Sequence, residues 1–236
     1  QRLDAWQAQG CVAPERITKS VFVATNTSLT GLATAFKLEG DVLVTNRHVA
    51  EVLPQAVFVS SEGEMYLPQR SHVANKQTRP DLAFYMPPQE MDIIPGLPLA
   101  TKEPQPGDFL LVVGNNGQKP LFYPSVVEVV ESSPRSWLTK ISGALRGVFS
   151  TFSSASVLVD EGAQKSDPYL LHGDVAGGNS GSPVVNCTGE VVGVLYGRQA
   201  IYWFANENVG SAVTLPDLRQ ELEELPAKDG QMPPQT

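Results

Sequence analysis

A chain of 236 residues, 42% hydrophobic and 18% charged, is long enough to bury a large core, and an all-β protein of this size can count as one domain. Seventeen Lys and Arg against 25 Asp and Glu leave a formal charge of −8, which argues against a nucleic-acid partner, since phosphate backbones are bound by clustered cations. No apolar run reaches the roughly 18 to 20 residues of a membrane span, and the start at Gln1 to Trp6 lacks a signal-peptide core, so a soluble chain is expected, compatible with a mature form whose export signal has been removed.

Residues 1–16 read as an N-terminal extension. Short β-branched or alternating runs then recur between turn residues: Val21 to Val23, Leu32 to Leu38, Val42 to Val44, Val57 to Val59, Leu82 to Met86, Phe109 to Val113, Val126 to Val130, Val157 to Val159, and the runs flanking Gly189. Each has the length of a strand, and the spacing predicts antiparallel barrels. The first barrel is placed at 17–98 and the second at 106–212, with the four prolines between Pro95 and Gly107 marking the crossing segment. Helices are nearly absent until Leu215, Leu218, Leu222 and Leu225 fall at helical intervals. Pro216 suits a first turn and Pro226 stops the run, so a helix is predicted over 215–225 and a disordered tail over 226–236. There is no internal repeat.

The richest segment for chemistry is Gly177-Gly178-Asn179-Ser180-Gly181-Ser182-Pro183, followed by Val184-Val185 and, after a turn, by Glu190 to Gly197. A serine between glycines can occupy a tight turn whose N–H groups point outward, as an oxyanion hole demands. A serine alone is a poor nucleophile and needs a base and a group that orients the base. Thr45-Asn46-Arg47-His48-Val49-Ala50 and Arg79-Pro80-Asp81-Leu82-Ala83-Phe84 supply candidates for both. A lone histidine is more often structural, and that reading stands for His72 and His172, which lack such surroundings. Asp81 precedes an apolar strand, so its carboxylate enters near the core and requires partners; the rival reading is a surface turn after Pro80. Asp92 and Asp108 have no such strand after them. A glycine-rich hairpin turn would account for Gly177 to Pro183 but not for His48 and Asp81.

The order His48, Asp81, Ser180 is that of chymotrypsin and not of subtilisin or the α/β-hydrolases. At these residues the chain resembles the trypsin-like (chymotrypsin-fold) serine proteases over residues 17–225. The wording TNRHVA, DLAF, GGNSGSPVVN and GEVVGVLYG is most similar to the bacterial branch that contains the glutamyl endopeptidases, and more distantly to the Deg-type proteases. The resemblance implies an all-β fold of two antiparallel six-stranded β-barrels with a C-terminal α-helix, and an active site in the cleft between them. It implies an acyl-enzyme on Ser180, His48 as general base, Asp81 as orienting carboxylate, the N–H groups of Gly178 and Ser180 as oxyanion hole, and no metal or organic cofactor. Asn179 stands where digestive enzymes carry the aspartate that pairs with a new amino terminus, so that zymogen switch is not expected.

Specificity departs from the glutamyl enzymes. Val175 and Leu195 occupy positions where those proteases hold a hydroxyl residue and a histidine, so an apolar residue before the scissile bond is expected. Tyr196 and Gly197 are expected to offer backbone to an extended substrate. Asp174 matches the carboxylate at the base of the trypsin pocket and keeps a basic preference as the alternative, with Arg198 a candidate to neutralise it. Cys11 and Cys187, the only two cysteines, make no zinc site. They read either as two buried thiols or, because proteases of this type usually work outside the cytoplasm, as a bridge. The expected protein is a secreted or periplasmic serine endopeptidase, monomeric by default, acting on protein or peptide substrates. The rivals are a catalytically quiet binding protein on a protease fold and a processing or regulatory protease of narrow specificity.

Overall fold

The computed structural model describes residues 2–29, 32–74, 80–115, 122–130, 168–175, 178–198 and 209–225. The strand expected at 157–159, the tail at 226–236, and Arg79 and Gly177 lie outside the described residues. Two short helices come first, α1 (Arg2–Ala8) and α2 (Pro14–Thr18). They lead into β1 (Val21–Thr25), β2 (Ala33–Leu38) and β3 (Val42–Thr45), then α3 (Arg47–Val52), β4 (Val57–Val59), β5 (Met65–Tyr66), β6 (Gln69–Val73) and β7 (Ala83–Met86). After a 3-10 turn at Gln89–Met91 follow β8 (Phe109–Gly114), β9 (Tyr123–Val130), β10 (Tyr169–His172), β11 (Pro183–Val185), β12 (Val191–Arg198), β13 (Val209–Thr214) and α4 (Leu215–Glu223).

The strands form two antiparallel sheets. The second is a closed six-stranded barrel in the order β10-β13-β12-β11-β8-β9. The first differs from the expected six-stranded barrel: it is a seven-stranded sheet, β5-β4-β1-β2-β3-β7-β6, whose ends do not pair among the described residues. The additional strands have a physical reason to be missed. β5 is two residues long, and β6, Gln69-Arg70-Ser71-His72-Val73, is an exposed-to-half-buried edge without apolar alternation. Helices before the end are also more numerous than expected, since α1, α2 and α3 are each too short to display a period.

Alternation along the strands sorts side chains between three cores. Phe22, Leu43, Phe58, Tyr85 and Met91 fill the first sheet, while Leu110, Val112, Val127, Leu171 and Val184 fill the barrel. Their neighbours Val21, Phe36, Val44, Leu111, Val113 and Val185 face the other way and form the layer between the sheets. Lys37 falls within fully buried β2; its ammonium is satisfied by the carbonyls of Met91 at 2.9 Å and Ile94 at 3.0 Å and pairs with Asp41 at 3.4 Å.

α4 starts where the sequence places it. Pro216 sits in its first turn, the Thr214 hydroxyl accepts from the Asp217 amide at 3.4 Å, and the buried Leu215 and Leu218 dock it on the strands. The Leu215 amide donates to the Tyr169 hydroxyl, which in turn donates to Glu103 at 2.9 Å. Burial, with the Glu103 carboxylate adding to it, pushes the Tyr169 phenol above its ordinary range.

The N-terminal segment is strapped across the barrel. Trp6 is buried and its indole N–H donates to Val12 O at 2.8 Å; the Val12 amide donates to Cys187 O at 2.8 Å; and Cys11 is disulfide-bonded to Cys187. The bridge therefore resolves the two readings of the cysteines. Cys187 lies on the tight turn between β11 and β12, where hydrogen bonds from Asn186 and Thr188 hold the Glu190 carboxyl below its usual range. The bridged residues are 176 apart in sequence, and closing a loop of that size removes about 5 kcal/mol of unfolded-state entropy on the chain-entropy model. Replacing both cysteines with serine is expected to lower unfolding free energy by about 2 to 5 kcal/mol in urea titrations. An unchanged midpoint would show that the strap contributes nothing to stability.

Candidate active site

The register of β3 against β7 pairs Thr45 with Ala83 and Val44 with Phe84, so the residues after β3 meet those before β7. Asn46 stays extended and the helix α3 begins at Arg47, which puts His48 in its first turn. Three polar contacts then fix Asp81 against this corner. The Asn46 side-chain amide donates to Asp81 O at 2.9 Å, the His48 amide donates to Asp81 Oδ1 at 3.0 Å, and His48 Nδ1 lies 2.5 Å from Asp81 Oδ2. An ionised carboxylate only accepts, so Nδ1 is the donor in this contact. The His48 side chain is 43% exposed while that of Asp81 is 10% exposed. One carboxylate thus sits below an imidazole whose far edge is open.

Burial of that carboxylate needs a compensating cation. Arg47 supplies it from a buried position, with a guanidinium nitrogen 3.9 Å from Asp81 Oδ1, a hydrogen bond to Pro80 O at 3.3 Å, and Glu51 at 3.8 Å. Sequence reasoning passed over Arg47 although it adjoins His48; the signal was a charged residue at the start of a helix whose neighbours Val49 and Ala50 are apolar.

Ser180 belongs to the other sheet. Its loop runs from Gly178, at φ +94°, to Gly181, at φ +87°, and then enters β11. The loop does not rest on the barrel alone. Ser180 O accepts from the Thr34 amide of β2 at 2.8 Å, and Gly178 O accepts from the Thr34 hydroxyl at 2.9 Å. Thr34 O in turn accepts from the hydroxyl of Thr45 at 2.7 Å, three residues before His48. Two buried threonines therefore connect the serine loop with the His48 corner; Thr45 belongs to the His48 motif, whereas Thr34 was not signalled by the sequence. The Ser180 hydroxyl donates to Tyr196 O at 3.3 Å, a long contact that leaves it lightly held. The amides of Gly178 and Ser180 donate to no acceptor among the described residues. Asn179 is buried and its carbonyl accepts from Ser182 N at 2.9 Å.

The expected specificity residues divide into groups. Val175 and Leu195 are buried in the barrel core beside Gly210, where a Cβ would meet them at 3.0 and 3.2 Å. Asp174 is exposed. Tyr196 and Gly197 are half-buried on β12, at a register shift against β13 between Leu195 and Gly197. Such a bulge interrupts the ladder at Tyr196, whose carbonyl accepts from the Ser180 hydroxyl. The side chain of Arg198 lies outside the described residues. Among the described residues no cluster of three His, Cys, Asp or Glu could hold a metal ion, and no described helix is long and apolar enough to cross a membrane.

A mostly β fold with a closed barrel, a second curled sheet and a C-terminal helix, carrying a His–Asp pair and a glycine-flanked serine where the sheets meet, defines the chymotrypsin-like class. The model of the trypsin-like peptidase domain matches residues 33–194. The chain belongs to that family, and by class it is a serine endopeptidase. Solved structures agree on the fold. A Ser-to-Ala mutant of Rv3671c from Mycobacterium tuberculosis H37Rv in its inactive form has a TM-score of 0.66 at 18% identity, covering 92% of both chains. The active form of the Rv3671c protease gives 0.65 at 17% identity, over 92% of this chain and 86% of that one. The serine endoprotease from Yersinia pestis gives 0.64 at 16% identity, over 90% of this chain and 66% of that one. No curated protein sequence matches the chain.

Proposed function

We propose that the protein hydrolyses peptide bonds through an acyl-enzyme on Ser180, with His48 as general base and Asp81 as the carboxylate that orients it. The observation that carries this reading is the contact of His48 Nδ1 with the buried Asp81 carboxylate at 2.5 Å, which leaves Nε2 as the free base. Ser180 Oγ attacks the substrate carbonyl carbon while His48 Nε2 takes the hydroxyl proton; the C–N bond then breaks and the leaving amine receives that proton. Water repeats the sequence on the ester and regenerates Ser180. The amides of Gly178 and Ser180 receive the developing oxyanion, an effect of on the order of 3 kcal/mol per donor. The disulfide supports a site of action outside the cytoplasm.

For specificity, the absence of a hydroxyl at Val175 and of an imidazole at Leu195 supports a small or medium apolar residue before the scissile bond, and the exposed position of Asp174 gives a basic side chain no buried carboxylate to neutralise. Peptidyl diphenyl phosphonates ending in Val, Leu, Arg and Glu test both points. The expected result is covalent modification mapped by mass spectrometry to Ser180, fastest with Val or Leu. Absence of modification at Ser180 by any of the four would remove the proposed nucleophile; fastest reaction with Arg or Glu would overturn the apolar pocket alone.

A further inference from the structure

We infer that Thr34, through its side-chain oxygen, is a positioning residue that holds the oxyanion-binding loop in its working conformation. The inference rests on the reading of Ser180 and the Gly178 and Ser180 amides given above. Thr34 is fully buried on β2 and uses every polar atom it has. Its amide donates to Ser180 O at 2.8 Å and its hydroxyl donates to Gly178 O at 2.9 Å; that hydroxyl accepts from the Asn115 amide at 2.9 Å, and its carbonyl accepts from Thr45 Oγ1 at 2.7 Å. One residue of the first sheet therefore clamps the serine loop, the end of β8 and the end of β3.

The two clamped carbonyls lie on either side of the peptide that carries the Ser180 N–H. Fixing Gly178 O sets the plane of the 178–179 peptide, and fixing Ser180 O sets that of the 180–181 peptide. Gly178 is the residue with the freedom to undo this, since a glycine at φ +94° can return to negative φ with little penalty. A donor of an oxyanion hole is effective only when it already points at the place where charge develops. The Thr34 hydroxyl supplies that constraint from outside the loop, and its orientation is in turn restricted by the β-branch and by the Asn115 amide that it accepts.

Thr34→Val keeps the shape and the backbone bonds and deletes only the oxygen. The expected result is a kcat at least about tenfold lower, with KM changed by less than about twofold. The rate of phosphonylation of Ser180 falls in parallel, because the phosphonyl oxygen uses the same donors. Thr34→Ser, which keeps the oxygen and loses the methyl, recovers most of the loss. A kcat for Thr34→Val equal to that of the parent overturns the inference, and so does a Thr34→Ser protein as impaired as Thr34→Val, which would assign the effect to packing. If the valine protein does not fold, Thr34→Ala against Thr34→Ser isolates the same oxygen: a slow alanine variant beside a fast serine variant supports the role, and equal rates reject it. Parent protein and Ser180→Ala run in the same assay separate the two readings. A parent that is never modified at Ser180 defeats the proposed mechanism, whereas a modified parent with an unaffected Thr34→Val defeats only the role of Thr34.

Discussion

Ser180→Ala is expected to lower kcat/KM on a peptide substrate by about four orders of magnitude or more, and His48→Ala by nearly the same factor, since members of a triad act as a unit. Asp81→Asn is expected to cost about 10⁴ in kcat for a different reason: an amide can present its N–H to Nδ1 and turn the imidazole into the wrong tautomer. The three variants separate on stability. Among the described residues Ser180 Oγ makes one long hydrogen bond, to Tyr196 O, so its removal leaves the urea midpoint nearly unchanged. Asp81 is the anion beside the buried Arg47 and accepts from the His48 amide. Its neutralisation therefore destabilises by on the order of 2 kcal/mol or more. Steady-state kinetics and urea unfolding on the same preparations read both effects. Near-native hydrolysis by Ser180→Ala would show that the chemistry resides elsewhere.

Gly181→Ala is expected to produce the largest loss of stability of any single methyl group added to the protein's site, about 3 to 5 kcal/mol or failure to fold. The residue sits at φ +87°, where a Cβ is strained, and that Cβ would lie 1.9 Å from Thr34 O and 2.5 Å from Thr45 Oγ1. The first of these is main chain within a sheet and has no freedom to retreat. Yielding would break the Thr34–Ser180 and Thr34–Thr45 hydrogen bonds together. Gly197→Ala is the matched control, because among the described residues no atom lies within 4 Å of its added Cβ; it is expected to shift stability by less than about 0.5 kcal/mol. A Gly181→Ala protein as stable as the parent would show that the sheets do not meet as closely as described.

The residues most legible in the sequence are those whose chemistry demands a particular type in a particular local frame. His48 after a Val-Leu-Val strand, Asp81 before Leu-Ala-Phe, and Ser180 between glycines each carry their own context, and the fold class follows from alternating runs separated by turns. What escaped depends on distance. Thr34 and Gly178 are 144 positions apart, and nothing around Thr34 distinguishes it from any other strand threonine. The same reasoning left Cys11 and Cys187 open between two states until the strap brought them together. β6 escaped because its pairing with β7, rather than an apolar stripe, makes it a strand. β13, rich in small residues, escaped because its burial comes from its neighbours.

The bridge between Cys11 and Cys187 has a further consequence for an enzyme that encounters copies of itself. All three proposed triad residues, and both sheets up to the turn before β12, lie within the covalent ring that it closes. A cut by another molecule at one surface loop inside that ring leaves both pieces attached, so the nicked protein retains its interlocking hydrogen bonds and its complement of side chains. Dissociation into fragments then requires a second cut or a reductant, and resistance to self-digestion is set by the redox state of the surroundings as much as by the exposure of the loops.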